Sequence, residues 1–216
     1  MVADVPQPPL GWSLVIPVKV LARAKSRLAA LAGPSRSALA LAMAADTVSA
    51  VAACPVVCAV IVVTDDGEAA DALGALGAVV VTDEPDGGLN AALTHGAAVA
   101  AGRWPASGTA ALAADLPALR PGELGSGLRA AAAWPEAFVP DAAGTGTTLY
   151  TARPGVMFWP RFGSGSAARY RAAGAAELRL PDAPGLRRDV DTPDDLRGAV
   201  ALGLGPRTAA LEAQLR

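Results

Sequence analysis

The sequence predicts a single α/β domain with a mostly parallel central sheet flanked by helices. Short apolar runs alternate along the chain with longer segments of helical periodicity, an order typical of a parallel sheet covered by helices. The run 56–63 is continuously apolar, as expected of a strand that is buried on both faces. A length of 216 residues suits one domain with a substantial core, and we expect the Pro-rich residues 1–11 to form a flexible tail before it.

The individual elements follow from these runs and from the turn residues between them. Apolar segments predict strands at 12–18, 56–63, 78–82, 109–113, 138–139, 147–151 and 177–180. Helical spacing predicts helices at 34–52, 67–76, 89–101, 121–133 and 166–173. A last helix should begin after Thr192, which can cap it, with Pro193 suited to its first turn. Ligands on such sheets bind at the carboxyl ends of the strands.

Composition excludes several classes of protein. The net charge of −2 argues against a broad basic face for nucleic acid. Pro, Gly, Asp or Arg interrupts each apolar run, so none is long enough to span a bilayer. The first residues lack the basic and apolar regions of a signal peptide. We therefore expect a cytoplasmic protein that binds neither nucleic acid nor membrane.

Lysine is confined to one short segment. The chain has sixteen arginines but only two lysines, Lys19 and Lys25, and both lie between Ile16 and Leu28. Lysine is a compact, mobile point charge, whereas arginine is a rigid planar fork. The segment follows the first predicted strand, where an α/β domain places its first strand-to-helix loop, and suits a polyphosphate there. The alternative is that two rare residues fall together by chance.

Three aspartates can converge at one edge of the sheet. Asp115 directly follows an apolar strand, and Asp189 and Asp191 are two residues apart, so in extended chain they point to the same side. Carboxylates that face a phosphate require a divalent metal between them, and Mg²⁺ favours carboxylate and phosphate oxygens. The alternative is helix capping, with Arg187 and Arg188 as partners of the second pair.

Three glycine-containing segments could bind ligands. Residues 144–150 (GTGTTLY) combine close backbone approach with hydroxyl donors. Residues 161–170 (RFGSGSAARY) run from a Gly/Ser loop into a helix, which is typical of an anion site. At 86–93 (DGGLNAAL), Gly88 leaves room for a planar base, and the amide of Asn90 could read its edge. Each could equally be an ordinary turn or helix start.

These motifs together resemble a known family. The segments IPVK-x-L-x-x-AKSRL (16–28), DGGLNAAL (86–93), ADLP (114–117), GTGTTLY (144–150), FGSGSA (162–167) and DVDTPDDL (189–196) are similar to those of the guanylyltransferases of coenzyme F(420) biosynthesis. That family belongs to the molybdopterin-guanylyltransferase-like nucleotidyltransferases. The resemblance runs from about Trp12 to Gly203 and implies that 12–216 form a single Rossmann-like nucleotidyltransferase domain of GT-A type.

The resemblance implies transfer of GMP from GTP to the phosphate of a small three-carbon acid. The bias toward Ala, Arg and Gly looks actinobacterial, which favours phosphoenolpyruvate as the acceptor. The alternatives are 2-phospho-L-lactate or 3-phospho-D-glycerate. A molybdopterin or sugar-phosphate nucleotidyltransferase is less favoured, because the lysine segment lacks the Gly-rich loop of the sugar-nucleotide enzymes. A non-catalytic nucleotide-binding protein would not need all three aspartates and both lysines.

The family's site residues carry over to matching positions of this chain. The resemblance implies that Mg²⁺ binds to aspartates, that cationic side chains contact the GTP phosphates, that a Thr, a Gly and a Ser hold the acid, and that the next enzyme of the pathway takes up an unstable product. The implied metal ligands are Asp115, Asp189 and Asp191; the acid-binding residues are Thr148, Gly163 and Ser166; the nucleotide-binding residues are Lys19, Lys25, Arg27, Gly88 and Asn90; and the catalytic residues are Lys19, Lys25 and Asp115.

Overall fold

A seven-stranded sheet organises the computed structural model, which describes residues 10–23, 25–28, 32–83 and 87–215. Its strand order is β3-β2-β1-β4-β6-β5-β7. Only β6 runs antiparallel to its neighbours, which confirms the mostly parallel sheet predicted from the sequence. The strands are β1 (Trp12–Pro17), β2 (Val57–Val63), β3 (Val79–Val81), β4 (Gly108–Leu112), β5 (Glu136–Pro140), β6 (Thr147–Ala152) and β7 (Ala176–Glu177).

Helices cover both faces of this sheet. In the described part of the chain, none of them is both long and apolar enough to cross a membrane. The α-helices are α1 (Arg36–Ala52), α2 (Gly67–Gly74), α3 (Leu89–Arg103), α4 (Pro121–Ala131), α5 (Ser166–Ala172), α6 (Pro184–Arg187), α7 (Pro193–Leu202) and α8 (Pro206–Gln214), and short 3-10 helices occupy Leu21–Arg23, Ser26–Leu28 and Gly33–Ser35. Residues 1–9 of the expected tail, Ala24 of the lysine segment and residues 84–86 lie outside the described residues.

The core is split between the two faces of the sheet. In β1, Leu14 and Ile16 pack with α1 and the larger apolar cluster, whereas Val15 belongs to the cluster beneath α3. Helix α3 approaches the sheet closely at Gly96, where a Cβ atom would lie 2.4 Å from Val15 Cγ1 and 2.8 Å from Val63 Cγ2. The beginning of α3 is therefore held firmly against the strands that carry the cavity described below.

The structure corrects two predicted elements. The expected strand at 177–180 is only Ala176–Glu177; one further bond, from Leu178 N to Phe138 O at 2.9 Å, continues the pairing. The helix that Thr192 caps is not the last one, because α8 follows it. Helix α8 has no side-chain cap from its own N-cap residue, Gly205. Pro206 at its first position is the local start signal that remains, and the sequence analysis did not use it.

A buried carboxylate on α1 replaces that missing cap. Asp46 accepts hydrogen bonds from the backbone N–H of Arg207 at 3.2 Å and of Thr208 at 2.7 Å. Only 3% of its side chain is exposed. A Cβ atom on Gly205 would lie 2.4 Å from Asp46 Cγ, so glycine is required for this approach. One carboxylate thus satisfies the free N–H groups of α8 and fixes the helix on α1.

The Asp46→Asn variant should be less stable than the wild type by about 2 kcal/mol, because buried hydrogen bonds to a charged group contribute about 1.5–3 kcal/mol. Urea unfolding monitored by circular dichroism measures the difference. Asp194→Asn is the matched control, since Asp194 pairs with Arg197 on the surface with both side chains mostly exposed, and it should change stability little. Equal effects of the two substitutions would contradict the capping role.

Candidate active site

A cavity of about 990 Å³ opens at the carboxyl ends of β1 and β4. The loop after β1 contributes its cations, the segment after β4 contributes a carboxylate, and the segment before α7 contributes two more. Residues 145–147 and 162–166, together with Asp141, also line the cavity. The predicted site residues that the structure brings together in this lining are Lys19, Lys25, Arg27, Asp115, Gly163, Ser166, Asp189 and Asp191.

One backbone hydrogen bond brings the three aspartates together. The N–H of Val190 donates to the carbonyl oxygen of Asp115 at 3.1 Å, so the residues on either side of Val190, Asp189 and Asp191, lie next to the end of β4. The helix-capping alternative is not what the structure shows, because α7 is capped by a reciprocal pair, Thr192 and Asp195. The carboxylates of Asp189 and Asp191 therefore remain at the cavity.

The ammonium of Lys25 bridges two of these carboxylates. Lys25 Nζ donates to Asp115 Oδ2 and, at 2.8 Å, to Asp191 Oδ1. Burial by itself lowers the pKa of Lys25, but the adjacent Asp115 and Asp191 carboxylates outweigh it and hold that pKa above its ordinary value. The backbone of Lys25 has a φ of +52°, which is unusual for a residue other than glycine. Lys25 thus supplies the positive partner of this carboxylate pair.

The third carboxylate lacks a comparable partner. Burial, followed by repulsion from Asp115 and Asp141, raises the pKa of Asp189 to about 7. For Asp191 burial acts in the same direction, but the charges of Lys25, Arg27 and Lys19 overcome it and lower the pKa of that carboxyl. Cations therefore stabilise the charge of Asp191, whereas the charged neighbours that act on Asp189 are carboxylates.

These carboxylates fit a divalent cation that is completed by ligand oxygens. Among the described residues, no three His, Cys, Asp or Glu side chains surround one point closely enough to form a full metal site. Mg²⁺ does not require one, since it is usually held by one or two carboxylates together with substrate phosphates and water. Repulsion from Asp115 and Asp141, which adds to burial in raising the pKa of Asp189, would be reduced by a cation bound there. A metal shared by Asp115 and Asp191 would have to displace the Lys25 ammonium.

A second part of the cavity lining, residues 145–147 and 163–166, has no charged side chain of its own, although the Asp141 carboxylate adjoins it. We call these residues the uncharged wall. Ser166 Oγ and Thr147 Oγ1 form a hydrogen bond at 2.9 Å, and both residues line the cavity. Thr148, the predicted neighbour in β6, is fully buried and does not line it, and Thr148 Oγ1 has no hydrogen-bond partner among the described residues. Side chains alternate across a strand, so Thr147 and not Thr148 presents its side chain there. The sequence analysis missed Thr147.

Asp141, which directly follows β5, is a second residue that the sequence analysis missed. Its carboxylate accepts hydrogen bonds from the N–H groups of Thr145 at 2.9 Å and Gly146 at 2.8 Å. Its carbonyl oxygen is held by Arg187 Nη2 at 2.9 Å. Asp141 therefore shapes the GTGTT loop at the cavity edge. An aspartate a few residues before a glycine turn was the only sequence signal for this role.

The predicted base-binding residues lie outside the cavity lining. Gly88 is the N-cap of α3, has a φ of +85°, and faces open space. The Asn90 amide is paired with protein backbone: Nδ2 donates to Phe162 O at 3.1 Å, and Oδ1 accepts from Phe162 N at 2.8 Å. A role for Asn90 in reading a base therefore stays a prediction that requires this pair to open.

Comparisons with known proteins agree with this architecture. The model of a family described as "Guanylyl transferase CofC like" matches residues 12–210. A phosphoenolpyruvate guanylyltransferase of Thermomonospora curvata is 64% identical over 206 residues, which cover 95% of this chain and 90% of the relative.

Solved structures share the fold at low sequence identity. A putative nucleotide-diphospho-sugar transferase from Desulfovibrio desulfuricans has a TM-score of 0.68 at 18% identity. The match covers 94% of this chain and 97% of the chain of that transferase. A Mycobacterium tuberculosis protein that was solved in complex with manganese has a TM-score of 0.51 at 19% identity, with coverages of 89% and 98%.

Divalent-cation binding should strengthen as pH rises through about 7, the pKa of Asp189. The cation binds the ionised carboxylate, so below this pH it must displace a proton, and affinity should fall by up to about tenfold for each pH unit. Calorimetric titration with Mn²⁺ in the absence of nucleotide measures this. Asp189→Asn should flatten the profile; a profile that is unchanged in this variant would contradict the assignment.

Replacing Lys25 with methionine should raise Mn²⁺ affinity in the absence of nucleotide by about tenfold or more. Two charged hydrogen bonds no longer have to be broken to admit the cation, and about 1.4 kcal/mol corresponds to tenfold. Paramagnetic resonance of free Mn²⁺ reports the affinity. Arg27→Met is the control, because Arg27 lines the same cavity without bridging the carboxylates, and it should have a much smaller effect. Weaker binding to the Lys25 variant would refute competition between lysine and metal.

Proposed function

The chain belongs to the family of CofC-like guanylyl transferases, and from this premise we propose that it transfers GMP from GTP to the phosphate of phosphoenolpyruvate. The products are enolpyruvyl-2-diphospho-5'-guanosine and pyrophosphate, within coenzyme F(420) biosynthesis. The observation that carries the proposal is that one cavity is lined both by a carboxylate wall (Asp115, Asp189 and Asp191) with cations and by glycine, serine and threonine residues, with Asp141 beside the latter. Two anionic ligands can be held between such walls.

Transfer of the guanylyl group requires alignment and charge neutralisation. An oxygen of the acceptor phosphate attacks the α-phosphorus of GTP, the bond to the bridging oxygen breaks, and pyrophosphate leaves. No general base is required, because the attacking phosphate oxygen is already ionised at neutral pH. This agrees with a cavity lining that contains neither histidine nor cysteine among the described residues.

The cations after β1 suit the triphosphate. Lys19 and Arg27 are exposed at the cavity and make no hydrogen bond or ion pair with a carboxylate of the described residues, so we assign them to the β- and γ-phosphates and the leaving pyrophosphate. Lys25 lies deeper, on Asp115 and Asp191. We propose that it exchanges these carboxylates for phosphate oxygens when GTP and metal bind.

The carboxylate wall is proposed to hold magnesium. When bound, Mg²⁺ would neutralise charge between the α-phosphate and the acceptor phosphate. Asp115, Asp189 and Asp191 would be its protein ligands, and their position is fixed by the Val190-to-Asp115 backbone bond. The substrate oxygens complete the coordination, which is consistent with the incomplete protein ligand set.

The uncharged wall is proposed to hold the acid. Gly163 and Ser166 line the cavity, and Ser166 stands at the first position of α5. The backbone N–H groups of Ser166 and Ala167 are bonded to Gly163 O and Thr145 O, so we assign the acid to the loop before this helix. The buried, unpartnered hydroxyl of Thr148 could gain a ligand hydrogen bond only through a small rearrangement of β6. We retain Gly88 and Asn90 as candidate base contacts, and a cytoplasmic location as part of the proposal.

The proposal predicts pyrophosphate release from GTP that depends on Mg²⁺ and on phosphoenolpyruvate. A panel that replaces the acceptor with 2-phospho-L-lactate, 3-phospho-D-glycerate or a sugar phosphate, scored with a coupled pyrophosphate assay and mass spectrometry of the quenched product, measures it. Phosphoenolpyruvate should give the highest kcat/KM. Faster turnover with another acceptor would reassign the substrate, and release without any acceptor would contradict guanylyl transfer.

One substitution links this activity to the carboxylate wall. Asp115→Asn should lower kcat by about 100-fold or more, since charge stabilisation at the reacting phosphates is lost. Asp182→Asn is the matched control: Asp182 is exposed and does not line the cavity, so its variant should retain wild-type turnover. Normal Mg²⁺-dependent activity in the Asp115 variant would remove this residue from the reaction.

A further inference from the structure

Three successive backbone N–H groups are available on the uncharged wall. The N–H groups of Gly163, Ser164 and Gly165 have no acceptor among the described residues, although all three residues line the cavity. The neighbouring carbonyl oxygens are engaged elsewhere, because the guanidinium of Arg169 donates to Arg161 O at 2.9 Å and to Ser164 O at 2.6 Å. Backbone that presents donors and withholds carbonyls suits an anion.

This segment has no regular structure to fix its position. Gly163 and Gly165 have φ values of +117° and +70°, in the left-handed region that glycine tolerates best. Residues 161–165 belong to neither strand nor helix. The geometry of the N–H groups therefore depends on contacts that other elements make with this stretch of backbone.

Asn90 makes the first of these contacts. Its amide both donates to Phe162 O and accepts from Phe162 N, so it pairs with the backbone of Phe162 as an adjacent strand would. Asn90 is the second residue of α3, and α3 is packed tightly on the sheet through Gly96. These two hydrogen bonds therefore fix Phe162, the residue directly before Gly163, relative to α3 and the sheet.

Tyr170 makes the second contact from the other side. Its hydroxyl accepts a hydrogen bond from Arg161 N at 2.7 Å. Its ring is buried in an aromatic cluster, with centroids 4.7 Å from Tyr150 and 5.4 Å from Phe138. Tyr150 belongs to β6 and accepts from Trp159 N at 3.2 Å, which extends the same support along the loop. The hydroxyl of Tyr170 is thus held by packing and can fix Arg161 in turn.

We infer that Asn90 and Tyr170 are positioning residues for the phosphorylated acid, acting through the backbone of Arg161 and Phe162 on the N–H groups of Gly163, Ser164 and Gly165. This inference rests on the proposed function, in which the glycine segment holds the acceptor. The two side chains do not touch the acid. They keep its donors in the arrangement in which the acceptor phosphate can reach GTP.

The inference and the base-reading role of Asn90 predict different kinetics. If Asn90 reads the guanine edge, its removal weakens GTP binding and leaves the acid unaffected. If Asn90 positions the glycine segment, its removal weakens the acid and leaves GTP unaffected. Tyr170 separates them further, because it belongs to α5 and not to the predicted base-binding segment 86–93, and should behave like Asn90 only in the second case.

The test compares Asn90→Ala and Tyr170→Phe with the wild type in full steady-state kinetics, varying GTP and phosphoenolpyruvate separately. Each variant should raise the KM for phosphoenolpyruvate about tenfold or more, since displacement of donors by about 1 Å can reduce rates by up to about 100-fold. The KM for GTP should stay within about twofold. Thr94→Ala is the control: Thr94 is exposed on α3, one turn from Asn90, and its variant should match the wild type.

Calorimetric binding of phosphoenolpyruvate to the same proteins distinguishes failure of the proposed function from failure of the positioning inference. A wild type that binds the acid but does not transfer GMP would refute the proposed function, while the binding ratio of the variants would still test the inference. If Asn90→Ala does not fold, Tyr170→Phe carries the comparison, since it keeps the ring and removes one oxygen. A rise in the KM for GTP alone, or an equal rise for both substrates, would overturn the positioning role.

Discussion

The hydrogen bond from Val190 N to Asp115 O is the constraint on which the cavity depends. It joins the segment after β4 to the segment before α7 and places three carboxylates on one wall. Their mutual repulsion is expensive without a positive partner; burial, together with repulsion from Asp115 and Asp141, raises the pKa of Asp189. The fold meets this demand with Lys25, whose ammonium bridges Asp115 and Asp191. A metal shared by Asp115 and Asp191 can bind only if that bridge opens.

The uncharged wall, residues 145–147 and 163–166, has no charged side chain with which to hold an anion. In the proposed function, backbone N–H groups would supply donors for the phosphorylated acid without adding a charge that would attract the carboxylates. Such donors are useful only if the irregular backbone that bears them is fixed. The structure fixes it with Asn90 on α3, Tyr170 on α5 and the guanidinium of Arg169. Rigid elements therefore determine the geometry of a loop that has no regular hydrogen bonding of its own.

Part of this arrangement could be predicted from the sequence. The alternation of apolar runs and helical segments predicted the mostly parallel sheet. The position of Asp115 after a strand, and the two-residue spacing of Asp189 and Asp191, predicted that the three carboxylates lie at one edge of it. The sequence analysis predicted Thr148 in the lining, but Thr147 is the residue found there. Which of the two faces the cavity depends on which residues of β6 point to that side of the sheet, and two adjacent threonines do not reveal this. The role of Asn90 depends on Phe162, 72 positions away in the chain. The role of Asp46 depends on Arg207 and Thr208, 161 and 162 positions away. No local sequence pattern encodes such contacts.

The central claim is that the carboxylate wall is a metal site that Lys25 occupies in the free protein. A crystal structure with Mn²⁺ and a non-hydrolysable GTP analogue, with the metal located by its anomalous scattering, tests it most directly. The account predicts an anomalous peak coordinated by carboxylate oxygens of Asp115 and of Asp189 or Asp191, with Lys25 Nζ moved onto phosphate oxygens. A metal bound elsewhere, with the ammonium still between Asp115 and Asp191, would contradict it.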